Sequence, residues 1–353
     1  MKLLSILLLS VVQLLQGNHT VNLTFVGDAM QHAPQLTAAQ QPDGTYDYTP
    51  CFQYIEEDIR WADLAVVNLE CPLAGKPYTG YPCFSAPESY AQQLKNVGFD
   101  LFLTANNHCL DRRDRGLVHT CQTLDSLKIP HIGTYRDQQE RSKRLPYIVN
   151  IKGIRIAFLD YTYGTNGIPI QGNVIVDFID QQLIADDIAQ ARQQGAEAIC
   201  VNLHWGIEYQ LKPVASQRTL ADFLVSQGVD LIIGGHPHVV EPMEMRYSKE
   251  YDKNVLLVYS MGNFISNQTD IDCRGGAMVK VSLKKENGRP VVVNPRYKLF
   301  FVQKPRSKGE NYVLIPEARP DLLRADSQGE FNRFMQRTHD LVMSNNINVP
   351  NEQ

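Results

Sequence analysis

After its first twenty residues the chain has no apolar run as long as a membrane-crossing helix requires. It has no Gly-rich phosphate loop closed by Lys, no GxSxG elbow and no HExxH segment. Nucleotide-loop, serine-hydrolase and zincin mechanisms therefore have no foothold in it. An excess of either charge is also missing. Against 38 Asp and Glu stand 34 Lys and Arg, a formal charge of -4, which gives no support for a nucleic-acid tract. The short basic run of Arg141, Lys143 and Arg144 is expected in a solvated loop. None of the seven cysteines is spaced from another as in a CxxC or zinc-knuckle motif. Cys200, inside an apolar run, reads as a small core residue, and Cys109 as turn filler rather than a nucleophile. Cys51, Cys71 and Cys83 are the candidates for a disulfide in an exported chain.

What the chain has is an ordinary globular composition, with 43% hydrophobic and 20% charged residues over 353 positions. That is enough to bury the core of one large α/β domain or two smaller ones. Lys2 precedes an apolar stretch that ends before Gln16-Gly17, the proportions of a secretory signal. The expected organisation is a signal peptide over 1–17, a main domain over 18–300 and a C-terminal extension over 301–353, packed on the main domain or appended to it.

Strand and helix patterns alternate along the main domain. Residues 21–26, 64–69, 99–104, 198–203, 229–233 and 255–259 read as short buried strands. Between them, 87–97, 111–128, 178–194 and 216–225 carry helical spacing, with Gly98 as a stop. A hairpin is expected to turn at Lys152-Gly153 and another at Asn287-Gly288. Residues 31–60 read as a long excursion with one short helix near its end. The last fifty residues, with a helix near 331–343, read as a small appendage. This alternation argues for a layered α/β fold that binds ligands at the carboxyl ends of its strands.

Polar clusters sit at those ends: Gly27-Asp28, Asn68-Leu69-Glu70, Asn106-Asn107-His108, His204-Trp205-Gly206 and Gly235-His236-Pro237-His238. Asp, Glu, Asn and neutral His together are the donor set that a pair of divalent transition ions needs. Glu70 ends a run so apolar that its charge must be solvated, paired or metal-bound. Gly234-Gly235 permits a tight approach after a strand, and Pro237 stiffens the turn that presents His236 and His238. Asn107 and His108 are adjacent in a turn, so one can hold a metal while the other addresses substrate. His32, four residues after Asp28, and Glu241 are candidates for outer support, and Glu208 for orienting an imidazole or touching substrate.

In this order the clusters resemble the capsule-synthesis CapA/PgsA family, whose members have a calcineurin-like metallophosphatase fold. The resemblance covers about residues 21–270. It rests on Phe25-Val26-Gly27-Asp28-Ala29-Met30, Val67-Asn68-Leu69-Glu70, Asn106-Asn107-His108-Cys109-Leu110-Asp111, His204-Trp205-Gly206-Ile207-Glu208, Gly234-Gly235-His236-Pro237-His238 and Ser260-Met261-Gly262-Asn263-Phe264. It implies a four-layer α/β/β/α sandwich holding two divalent ions (Mn, Fe or Zn). Asp28 and Glu70 are then bridging or near-metal carboxylates, and Asn107, His204, His236 and His238 the remaining ligands. His108 is the substrate-facing acid, Glu208 a second catalytic candidate, and Asn263 joins His32 and Glu241 as outer support. Two departures matter. The usual phosphatase opening is Asp-x-His, where Asp28 is followed by Ala29-Met30, and Leu69-Glu70 stands where a Gly-Asp pair is common.

The implied function is an exported metal-dependent hydrolase of capsule or poly-γ-glutamate metabolism, acting on a phosphoester or γ-glutamyl bond. It would work in the periplasm or on the outer face of the cytoplasmic membrane. Its expected partners are an anionic surface polymer or phosphoester substrate and membrane components of a capsule synthase, with no nucleic acid. The alternative is a non-catalytic polymer-binding or assembly factor with a degenerate metal site.

Overall fold

The computed structural model describes residues 20–352, so the expected signal peptide lies outside the described residues. From the N-terminus, β1 (Thr20–Ala29) leads through α1 (Ala33–Ala39), α2 (Thr49–Phe52) and α3 (Glu56–Arg60) to β2 (Leu64–Leu69). Then come α4 (Glu88–Val97), β3 (Leu101–Leu103), α5 (Arg113–Ser126), β4 (His131–Ile132), β5 (Thr134–Tyr135) and α6 (Gln138–Arg144). The hairpin β6 (Tyr147–Ile151) and β7 (Ile154–Thr162) is followed by β8 (Ile175–Val176), α7 (Gln181–Gln193), β9 (Ala198–His204), α8 (Ala215–Ser226) and β10 (Leu231–Gly235). The remainder is β11 (Met243–Ser248), β12 (Lys253–Val258), β13 (Asn263–Ile265), β14 (Gly275–Glu286), β15 (Arg289–Gln303), β16 (Val313–Pro316) and α9 (Gln328–Asn345).

Two sheets carry the architecture. The first runs β16-β15-β14-β1-β2-β3-β4, with β13 also pairing β1, and the second runs β11-β12-β10-β9-β7-β6. Side chains alternate across each strand. Val21, Leu23 and Phe25 of β1, Leu64 and Val66 of β2, Ile154, Ile156 and Phe158 of β7, and Ala198 and Cys200 of β9 share the core between the sheets. The intervening Ala65, Val67 and Leu69 face outward onto Tyr90 and Leu94 of α4. Ala157, Leu159, Ile199 and Val201 face the other way, onto Ile184 and Ile188 of α7 and Leu224 of α8. The result is the four-layer α/β/β/α sandwich.

Several local expectations change. Residues 31–60 hold three helical pieces rather than one, because Pro34 and Pro50 each open a short helix that residue spacing alone does not announce. The basic run lies on helix α6, not in a loop. There Arg141 binds Asp177 and Asp187, each at 2.5 Å, and Arg144 binds Asp125 at 2.5 Å. All seven cysteines are free thiols. Residues beyond 300 are woven in: β16 pairs with β15, and Phe331, Phe334, Met335 and Val342 of α9 pack into the inter-sheet core.

Candidate metal centre

The inter-sheet rows that begin apolar end polar. On β2 the row Leu64, Val66 continues to Asn68 and then Glu70, and on β9 the row Ala198, Cys200 continues to Asn202 and His204. On β1 a register shift against β2 between Val26 and Asp28 changes the phase, so that Asp28 stands beside Asn68. Gly27 permits this, since a Cβ there would lie 1.9 Å from the Gly262 carbonyl oxygen. At the end of β10 the backbone turns through positive φ at His236 (99°) and His238 (61°). Non-glycine residues in that region each carry about 1–3 kcal/mol of strain, and such strain collects at functional sites.

Two groups of side chains converge there. Glu70, His204 and His236 each offer a ligand atom within 4.8 Å of the others, and so do Asp28, Glu70 and His238. Glu70 belongs to both. Its Oε1 lies 3.6 Å from His204 Nε2 and 3.9 Å from His238 Nε2. Asn107 joins the first group, its Oδ1 standing 2.9 Å from His204 Nε2. Asn263 Oδ1 lies 3.1 Å from His238 Nδ1, which is also 3.3 Å from Asp28 Oδ2. These acceptors hold the proton on Nδ1 and leave the Nε2 lone pair turned toward Glu70.

The donors fit a divalent cation. Both Glu70 carboxylate oxygens and His236 Nδ1 are buried without a hydrogen-bond partner, a cost that proteins rarely leave unmet. Burial, with the Asp28 and Glu208 charges, pushes the Glu70 carboxyl well above the usual range. A cation among these ligands would reverse that penalty. Burial alone would also raise Asp28, but the His238 hydrogen bond, the His204 and His238 charges and the Asn68 amide hold it below the usual range. Burial and the His238 charge lower His236 to about 3, and burial with the His236 charge takes His204 well below its ordinary value. Both shifts favour the uncharged imidazole, the form in which histidine ligates a metal.

His108 sits at the edge of this centre. Its Nδ1 lies 2.9 Å from Asp111 Oδ2, and the Phe84 ring is 4.7 Å away, edge to face. Glu208 is half-buried and outside both ligand groups, although its charge reaches Glu70 and Tyr163. His32 caps α1, its Nδ1 accepting from the Asn267 N–H at 3.3 Å, and is not in either group. Glu241 accepts from Gln217 Nε2 at 2.8 Å, which turns it toward α8.

Four residues without an assigned role in the sequence reading belong to this environment. Asn68 Nδ2 donates to Asp28 Oδ1 at 2.7 Å, while its Oδ1 accepts from Asn106 Nδ2 at 3.1 Å. Asp111 also takes the Phe84 N–H, at 2.8 Å. Asp160, reaching from the other sheet, accepts the Thr104 and Ala105 N–H groups at 3.0 and 2.9 Å, ahead of Asn107. Tyr163 lies at the mouth, its ring 4.5 Å from that of His236. Asn68 and Asp160 carried a readable signal, a polar residue in the inward row of an apolar strand, whereas Tyr163 carried none. A third cluster, Asp125, His131 and Glu140, is bridged by the Arg144 guanidinium, which lies 2.5 Å from Asp125 and 2.8 Å from Glu140. It is an ion-pair network.

The sequence profile of the bacterial capsule synthesis protein PGA_cap family matches residues 22–268. The chain is 29% identical over 287 residues to the PGA biosynthesis protein CapA of Bacillus subtilis, covering 79% of this chain and 72% of that one. It is 27% identical over 290 residues to the capsule biosynthesis protein CapA of Bacillus anthracis, covering 78% and 66%. Among solved structures, the Haemophilus influenzae NAD nucleotidase superposes with a TM-score of 0.52 at 14% identity. That match covers 90% of this chain and 62% of the other, less than two thirds of its length, and it bears on the fold alone.

Proposed function

The chain belongs to the bacterial capsule synthesis protein PGA_cap family and has the calcineurin-like metallophosphatase sandwich, and on that premise we propose an exported metal-dependent hydrolase of capsule polymer metabolism. The proposed bond is a phosphoester or a γ-glutamyl amide in an anionic surface polymer. The observation that carries the reading is Glu70, buried, unpartnered and common to two ligand groups.

Divalent ions held by Asp28, Glu70, Asn107, His204, His236 and His238 would supply Lewis-acid polarisation of a phosphoryl or carbonyl oxygen and lower the pKa of water. The chain's own residues do the rest. Asp111 Oδ2 fixes His108 Nδ1 and Phe84 packs on the ring, so Nε2 is the atom that passes a proton to the leaving group. Asn68 and Asn263 orient Asp28 and His238. Asp160, through the Thr104 and Ala105 amides, sets the turn that carries Asn107 and His108. Glu208 is assigned to substrate contact. Among the described residues no helix is long and apolar enough to cross a membrane. Action in the periplasm or at the outer face of the cytoplasmic membrane, beside capsule-synthase components, belongs to this proposal.

One observation favours a second reading. The group Asp28, Glu70 and His238 has three protein donors and no imidazole following Asp28 at the usual spacing. A protein that holds polymer without cleaving it could retain such a site. Metal content after purification, and hydrolysis of a generic phosphodiester and of poly-γ-glutamate with added Mn²⁺, separate the two. Turnover lost together with metal in His236→Ala supports the enzyme. Metal retained in the unaltered chain with no turnover of either substrate supports the binding factor.

A further inference from the structure

The segment between Glu70 and α4 has two faces. One carries Phe84 against His108, and the other walls a separate surface cavity of about 430 Å³. Lys76, Arg112, Arg115 and His119 line that cavity with Gly75, and no acidic side chain does. Among the described residues none of the three cations has a carboxylate partner. Arg112 spends its fork on the Phe84 and Pro77 carbonyls and the Thr79 hydroxyl. Asp114, in the same helical turn, is turned away and accepts the Gln171 N–H at 3.1 Å. His119 Nδ1 donates to the Leu73 carbonyl, leaving Nε2 facing Gly75, where an added Cβ would meet it at 3.5 Å.

On a chain of formal charge -4, uncompensated cations gathered in one concavity are a local feature and not a property of the whole surface. The cavity also shares a wall with the candidate centre. Arg112 Nε holds the Phe84 carbonyl at 3.3 Å, and the Phe84 N–H is held by the carboxylate that orients His108.

We propose that this cavity is an anion subsite for a polycarboxylate chain. Lys76 and Arg115 hold side-chain carboxylates of the polymer while an adjoining segment lies at His108. The inference rests on the capsule-polymer reading above. It adds where the chain is gripped and by which charges.

The test is the double reversal Lys76→Glu, Arg115→Glu in the full chain. Both side chains are exposed, and Arg112, which holds the loop, is left intact. Fluorescence anisotropy with a labelled poly-γ-glutamate fragment should show affinity weakened by at least about tenfold at low salt, with a shallower salt dependence. Metal content and melting temperature should be unchanged. The matched reversal Lys308→Glu, Arg333→Glu, on other exposed positions, should leave affinity as it was. Equal losses in both variants, no loss in the first, no binding by the unaltered chain, or tighter binding of polyphosphate than of poly-γ-glutamate would each overturn the subsite. Polymer held through Lys76 and Arg115 by a chain that neither binds metal nor turns over substrate would leave the subsite standing and end the hydrolase reading.

Discussion

Glu70 Oε1 lies 3.6 Å from His204 Nε2, and no hydrogen bond satisfies either oxygen of the carboxylate. Two buried groups that approach without bonding, with an Asn107 oxygen 2.9 Å from the same ring nitrogen, outline a position for a cation. Removing the Glu70 charge should therefore act in opposite directions with and without metal. In Glu70→Gln, metal content by mass spectrometry should fall to less than about a tenth, at least the loss typical of a disturbed ligand environment. The metal-free protein should lose no thermal stability at pH 8, because the raised Glu70 carboxyl opposes folding as pH rises. A metal-free variant that melts well below the parent would contradict the unpaired-carboxylate account.

Asn263 should matter through His238. Its Oδ1 is 3.1 Å from His238 Nδ1, so Asn263→Ala frees the ring to change tautomer. Titration calorimetry with Mn²⁺ should show affinity reduced by about 10–100-fold. Unaltered affinity would mean that Asp28 alone orients the ring.

A methyl group at Gly235 would stand 2.8 Å from Asp28 Oδ1. Gly235→Ala should displace that carboxylate and weaken the group Asp28, Glu70 and His238 more than the group Glu70, His204 and His236. The expected result is about one bound ion where the proposal gives the parent two, with about 1–3 kcal/mol of overpacking in denaturant melts. Equal loss at both positions would show that the groups are not separable.

Stability in chelator should depend on pH through Glu241. Burial drives this carboxyl from 4.5 up to about 8, against the Gln217 hydrogen bond and the Arg218 charge. Because its folded pKa exceeds its unfolded one, the native state binds more protons between those values, and stability falls as pH rises through that window. Glu241→Gln should match the parent near pH 4.5, melt above it at pH 8, and give a flatter profile between. Parallel profiles would remove Glu241 as the cause.

Asp160 holds two amide N–H groups from the opposite sheet. Asp160→Ala leaves the buried Ala105 N–H unsatisfied, at about 1–3 kcal/mol, while the Thr104 N–H keeps the Ile132 carbonyl at 2.9 Å. Urea melts should show roughly that loss, with metal affinity falling as the Asn107 turn loosens. A loss confined to the denaturation midpoint would confine Asp160 to a structural role.

Much of the framework was legible in residue order. β2 begins and ends where the apolar run 64–69 does, Gly98 stops α4 with φ 122°, and the two hairpins turn at Lys152-Gly153 and Asn287-Gly288 through positive φ. Less legible were elements whose partners are remote. β11 has only Met243 and Ser248 buried and gains its strand form from pairing with β12. Arg141 seemed a solvated cation because Asp177 and Asp187, 36 and 46 residues away, supply its setting.

By itself the sequence determined that Asp28, Glu70, His108, His204, His236 and His238 would each follow an apolar strand, because the alternation of side chains is a local property of the backbone. Only the tertiary structure decided that they meet. The order β1-β2-β3 in one sheet and β10-β9-β7 in the other stacks those strand ends across one gap, and the shift at Gly27 turns Asp28 into it. Pairing order and register depend on contacts among residues far apart in the chain, so no stretch of sequence could place Glu70 between two groups of ligands.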